Sequence, residues 1–138
     1  MKRWILPILA FLFPMAVLAQ VKINEFVAHP SPTPGNTEWV EFYNPSGSAD
    51  PIKNYFVDDD TDFVLDTGNS AKRGLTNLNT DSSPFPFIDL TAATFNNSGD
   101  KVVLFDDQGT LLDQFEFVSD PGADVSWGRN PDQTGDFA

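Results

Sequence analysis

The chain has 138 residues, no cysteine, a single histidine and a formal net charge of -12. That length suits one domain, and the missing cysteines exclude both a disulfide framework and a lipid-modified cysteine. The acidity opposes binding to phosphate backbones and to anionic membranes, leaving solubility and attraction of cations as its physical consequences.

The first nineteen residues read as a removable secretory signal. Lys2-Arg3 is followed by an apolar run from Trp4 to Ala19 that closes on Val17-Leu18-Ala19, with Gln20 as the first polar residue beyond it. A basic start, a short apolar stretch and small residues before the cut are the pattern of such a signal. Pro7 and Pro14 interrupt a run that is already short for a membrane-spanning helix. Cleavage after Ala19 leaves residues 20–138 as the mature domain, with no further segment able to span a bilayer. A secreted, extracellular or cell-surface location follows, the periplasm included.

Beyond Gln20, short runs rich in Val, Phe and Ile alternate with turn clusters, and no helical period appears. This is the pattern of an all-β sandwich. Strands are expected over Val21–Val27, Glu38–Tyr43, Ile52–Val57, Asp62–Leu65, Pro86–Leu90, Lys101–Asp106, Leu111–Phe117 and Asp124–Trp127. Because side chains alternate along a strand, Val40 and Phe42 belong to one face of the second strand, and Trp39, Glu41 and Tyr43 to the other. Asn44-Pro45-Ser46-Gly47 then supplies a turn. Asp106-Asp107-Gln108-Gly109 reads as the turn of a hairpin. Two loops stand out: His29–Thr37, stiffened by Pro30, Pro32 and Pro34, and the polar Thr67–Pro84, long enough to be functional or mobile.

Several segments, in order, resemble the lamin-tail domain family, an immunoglobulin-like β-sandwich found on nuclear lamins and on many secreted bacterial proteins. The residues that carry the resemblance are Ile23-Asn24-Glu25-Phe26 with Glu38–Pro45, then Pro51–Asp59, then Asn97-Ser98-Gly99-Asp100-Lys101-Val102-Val103-Leu104. Leu112-Asp113-Gln114-Phe115 and Ser126-Trp127-Gly128-Arg129-Asn130-Pro131-Asp132 complete the series. No heptad coiled coil precedes them. The resemblance implies an immunoglobulin-like fold of the exported bacterial type and a domain not associated with catalysis. Family members usually continue past the position of Ala138, so a C-terminal truncation is one reading.

The chemistry-bearing groups are few. Asp58, Asp60 and Asp62 place carboxylates at alternate positions, as in the start of an EF-hand loop. Phe63 stands where that loop needs glycine, and Asn69 where it needs glutamate. The run is therefore a weak calcium site or a solvated acidic turn. Glu25 and Glu41 lie on segments expected to neighbour one another, and paired carboxylates can split their pKa values for acid–base work; structural and surface roles are the other reading. Asp113 and Arg129 are candidates for an ion pair between late strands. Trp39 and Tyr43 form an aromatic strip suited to a sugar or peptide, or else cover the core.

No nucleophile elbow, phosphate-cradling loop or histidine-rich metal motif occurs. The expectation is a non-catalytic exported module for attachment or recognition, with no catalytic residues and no cofactor beyond weak calcium. Its partner would be a surface protein or polysaccharide, not nucleic acid. The competing expectation is an accessory domain of a longer secreted hydrolase whose catalytic part lies beyond Ala138.

Overall fold

The computed structural model describes residues 20–48, 51–64, 71–80, 83–91 and 93–138. The expected leader over 1–19 lies outside them, as do Leu65 and residues 67–70 and 81–82 of the second loop. No helix among the described residues is long and apolar enough to cross a membrane.

Among the described residues, nine antiparallel strands form two sheets. They are β1 Lys22–Val27, β2 Glu38–Tyr43, β3 Phe56–Asp58, β4 Arg73–Gly74, β5 Phe87–Leu90, β6 Asp100–Phe105, β7 Leu111–Phe117, β8 Trp127–Asn130 and β9 Asp136–Phe137. One sheet has the order β5-β2-β1-β8-β9 and the other β4-β3-β6-β7. The chain changes sheet between β2 and β3, between β4 and β5, between β5 and β6, and between β7 and β8, so the two inner faces close on a shared core as in an immunoglobulin-like sandwich.

The parity expected for β2 is the one observed. Val40 and Phe42 are fully buried, whereas Trp39, Glu41 and Tyr43 are half-exposed on the outer face. On β1 the pairing jumps from Ile23–Phe42 to Glu25–Glu41. Asn24 is thus an extra residue, a bulge that turns the alternation over. It lets Ile23 and Phe26 both face the core while Glu25 faces outward, which accounts for a glutamate amid apolar neighbours. Asn24 is itself buried and satisfied, accepting from the Gln133 amide at 2.9 Å and donating to Glu41 at 2.8 Å.

Phe26 sits at the middle of the core. Its ring meets those of Phe95, Phe115, Phe117 and Phe137 at centroid separations of 6.2, 6.1, 5.6 and 5.9 Å. Rings from both sheets therefore converge on one side chain.

Three expected strands differ. Ile52–Asn54 forms a 3-10 turn, and the strand starts at Phe56. The described part of Asp62–Leu65 is not a strand, because Asp60 accepts the Asp62 amide at 2.6 Å and Asp62 accepts the Val64 amide at 3.0 Å. Such local bonds compete with strand pairing. The last expected strand begins at Trp127 rather than Asp124, since Asp124 takes φ +58° and its amide bonds the His29 carbonyl at 2.8 Å.

The second loop also differs from expectation. Its described part carries β4 and a 3-10 turn, and Leu75 and Leu78 are buried in the core. The Leu75 amide bonds Tyr55 O at 2.9 Å. This segment is anchored, so shortening it would remove core side chains.

Candidate functional site

The outer face of the five-stranded sheet carries the most site-like arrangement. β2 and β5 pair so that Trp39 stands opposite Asp89 and Glu41 opposite Phe87. Directly opposed side chains in an antiparallel pair lie about 4.5–5.5 Å apart at Cβ, so aromatic rings and carboxylates alternate like a checkerboard. These four residues line a shallow groove of about 360 Å³. Tyr43 continues the strip beside Phe85, ring to ring at 5.7 Å. The structure thus puts both expected aromatics on one outward face and adds Phe85, Phe87 and Asp89.

A second pocket of about 290 Å³ shares Trp39 and Asp89 and is closed by Asn36, Thr37, Asp124 and Ser126. Its wall is the proline-rich loop, which the β7–β8 connection holds in place. His29 Nδ1 lies 2.8 Å from an Asp120 oxygen, and the Ser31 amide donates to Asp124 at 2.8 Å. The Gly122 amide, and then His29, hold the Asp120 carboxyl below the usual carboxylate range. The histidine is a loop tie.

Glu25 and Glu41 are cross-strand partners, as expected. Burial pushes the Glu41 carboxyl up, the Asn24 amide opposes this, and the charges of Glu25 and Asp132 add to the rise. Its bond to the buried Asn24 gives Glu41 a structural tie as well as a place on the groove. The expected pair of Asp113 and Arg129 is formed at 2.8 Å.

Glu38 escaped notice in the sequence, although its parity with Val40 and Phe42 places it inward. It is buried and accepts the amides of Thr94 at 2.7 Å and Phe95 at 3.2 Å. Burial raises its carboxyl, and those two amides work against the rise. It clamps the loop after β5 to the core.

Asp58, Asp60 and Asp62 are not brought together around a shared point. Asp58 is buried and accepts the Asp59 amide at 2.9 Å, while Asp60 and Asp62 cap their own turn. Among the described residues no group of three or more His, Cys, Asp or Glu side chains is arranged to hold a metal ion.

Burial pushes the Asp58 carboxyl up to about 7, the Asp59 amide opposes this, and the charges of Asp60 and Asp59 add to the rise. Below about pH 4 the group is protonated in both folded and unfolded chains and has no effect on stability. As pH rises from there the unfolded chain ionises first, so stability falls until the folded carboxyl also ionises near pH 7. Asp58→Asn removes this penalty. Relative to the native chain, the variant is expected to gain about 2–4 kcal/mol between pH 4 and pH 8. Denaturant titration at the two pH values measures it, and parallel profiles would contradict the assignment.

Comparison with known families gives one match. Residues 14–119 match the family described as Lamin Tail Domain. No curated protein and no solved structure matches the chain significantly. The matched stretch covers β1 to β7, including both segments that build the groove, and it ends before β8. With its two antiparallel sheets and a match over most of its length, the chain belongs to the lamin tail domain family.

Proposed function

We propose that this is a non-catalytic recognition module that acts outside the cytoplasm, of the exported bacterial type. Residues 1–19 act as its signal, and 20–138 form the mature domain. It attaches to a surface protein or polysaccharide through the outer face of β2 and β5. The observation that carries this reading is the half-buried aromatic strip of Trp39, Phe87 and Tyr43 on the outer sheet face, beside a loop pinned by hydrogen bonds. Rigid aromatics on a fixed scaffold give contact area at low entropic cost. The sequence supports export through its basic start, apolar run and small residues before Gln20.

The test compares the native chain with the Trp39→Ala, Tyr43→Ala double variant for retention on separated protein and polysaccharide fractions of a bacterial cell envelope. Retention that the variant loses while keeping its melting temperature supports the proposal. Equal retention of both chains overturns it. So does turnover of phosphoester, glycoside or peptide reporters that vanishes with Glu25→Gln or Glu41→Gln.

No cofactor is needed for this role. Because Asp60 and Asp62 already cap local amides, millimolar Ca²⁺ is expected to raise the melting temperature no more than Mg²⁺ does. A ligand of the folded state stabilises by mass action. A calcium-specific rise that Asp60→Asn abolishes would establish a site on this turn.

A further inference from the structure

The chemistry of the groove narrows its occupant. Two aromatic rings and two carboxylates supply the whole lining. Glu25 lies opposite Glu41 on the next strand, and Asp132 also acts on Glu41. Among the described residues, none of the ion pairs involves Glu25, Glu41 or Asp89. The face therefore gathers the carboxylates of Glu25, Glu41 and Asp89 beside Trp39 and Phe87, with Lys72 and Arg73 bordering Asp89 on its far side, on a chain whose net charge is -12.

A neutral sugar could stack on the rings and donate hydroxyl hydrogen bonds to the carboxylates, but it would leave their net charge uncompensated. A cation compensates that charge as well. An ammonium or guanidinium over an indole face is attracted by the ring quadrupole, and adjacent carboxylates add charge-assisted hydrogen bonds. β5 is the last strand of its sheet, and Asn79 bridges Phe87 along its outer edge, so the groove is reached from the sheet face.

We propose that the groove formed by Trp39, Glu41, Phe87 and Asp89 binds lysine or arginine side chains of a basic protein segment. This rests on the recognition reading above and names its partner. Charge complementarity brings the segment to the face, and the rings give the contact its position.

The probe is an octalysine peptide, titrated calorimetrically into the whole chain at about 0.15 M salt, where exposed charges beyond roughly 8 Å are screened. Trp39→Ala is expected to weaken binding by at least about 5-fold, in line with a partly desolvated cation–π contact. Combining Glu41→Gln with Asp89→Asn should weaken it by about 10-fold or more, as charge-assisted bonds are removed. Asp107→Asn with Asp136→Asn removes the same charge from exposed positions elsewhere and should leave affinity within about 2-fold, because those carboxylates lie away from the groove. Where Trp39→Ala fails to fold, mapping of peptide-induced amide shifts to residues 39–41 and 87–89 of the native chain replaces it.

Equal losses from the two double variants would show diffuse attraction and overturn the proposal, as would unchanged affinity in folded Trp39→Ala. If a neutral β-1,4-linked glucose oligomer binds in a Trp39-dependent way and octalysine does not, the basic-partner inference falls while the recognition face stands. Binding of neither probe to the face overturns both.

Discussion

Phe26→Ala is expected to destabilise the domain by about 3–5 kcal/mol, the range for removing a large aromatic from a closed core. Phe26 is fully buried, and four other rings meet it from around the sandwich. Removal leaves a cavity walled by Phe95, Phe115, Phe117 and Phe137, side chains held on the loop after β5, on β7 and on β9 that cannot all move inward. Aromatic pairs contribute about 0.5–1.5 kcal/mol beyond their buried area, and several are lost together here. A domain of this size is stable by only about 5–15 kcal/mol, so the variant should show a large drop in its denaturation midpoint. Val64→Ala is the control: Val64 is 85% exposed, and such substitutions stay within about 0.5 kcal/mol. Comparable losses from both would mean that the core is not centred on Phe26.

How far the sequence spoke depended on the length and regularity of each element. β2 was legible in full, because six residues of strict alternation settle both strand and face. The β6–β7 hairpin was legible because its turn chemistry is local: Asp106 accepts the amides of Gln108 and Thr110, and Gly109 takes φ +79°. β4 and β9 have two residues each, too few to make a pattern. The bulge at Asn24 is invisible in a pattern of apolar and polar residues, since the bond that satisfies Asn24 there comes from Gln133, far along the chain. Asp124 sits at the start of an alternating stretch, yet its left-handed backbone serves the proline-rich loop.

The candidate site was half visible for the same reason. Trp39 and Tyr43 follow from the parity of β2. Phe87 and Asp89 lie in the expected strand Pro86–Leu90, but their place beside Trp39 and Glu41 depends on the pairing of β5 with β2. Nothing local to either strand sets that register. The second loop misled because its polar residues outnumber Leu75 and Leu78, and those two decide where it goes.

Arg129→Ala should be the most damaging change outside the aromatic core. The guanidinium donates from Nε to Ile23 O at 2.8 Å, from Nη1 to Gly135 O at 3.0 Å and from Nη2 to Asp113 at 2.8 Å. It also lies 4.5 Å from the centre of the Phe137 ring. The same Asp113 oxygen accepts the Ile23 amide at 3.0 Å. One side chain on β8 thus joins β1 and the turn before β9 to β7 of the opposite sheet. The Arg129 and Asp113 side chains are 14% and 17% exposed, so truncation strands a mostly buried carboxylate and two carbonyls. Breaking a buried pair costs about 3–5 kcal/mol; partial exposure brings the expected loss to about 2–4 kcal/mol. Arg129→Lys should recover less than half of this, because an ammonium keeps the charge but cannot reach three acceptors in one plane. Combining Arg129→Met with Asp113→Leu should recover more than Arg129→Ala, since an apolar pair leaves no stranded charge. Denaturant titration of the three variants beside the native chain decides the matter. Native stability in Arg129→Lys would mean that only charge matters, and that the three-way fork does not hold the sheets together.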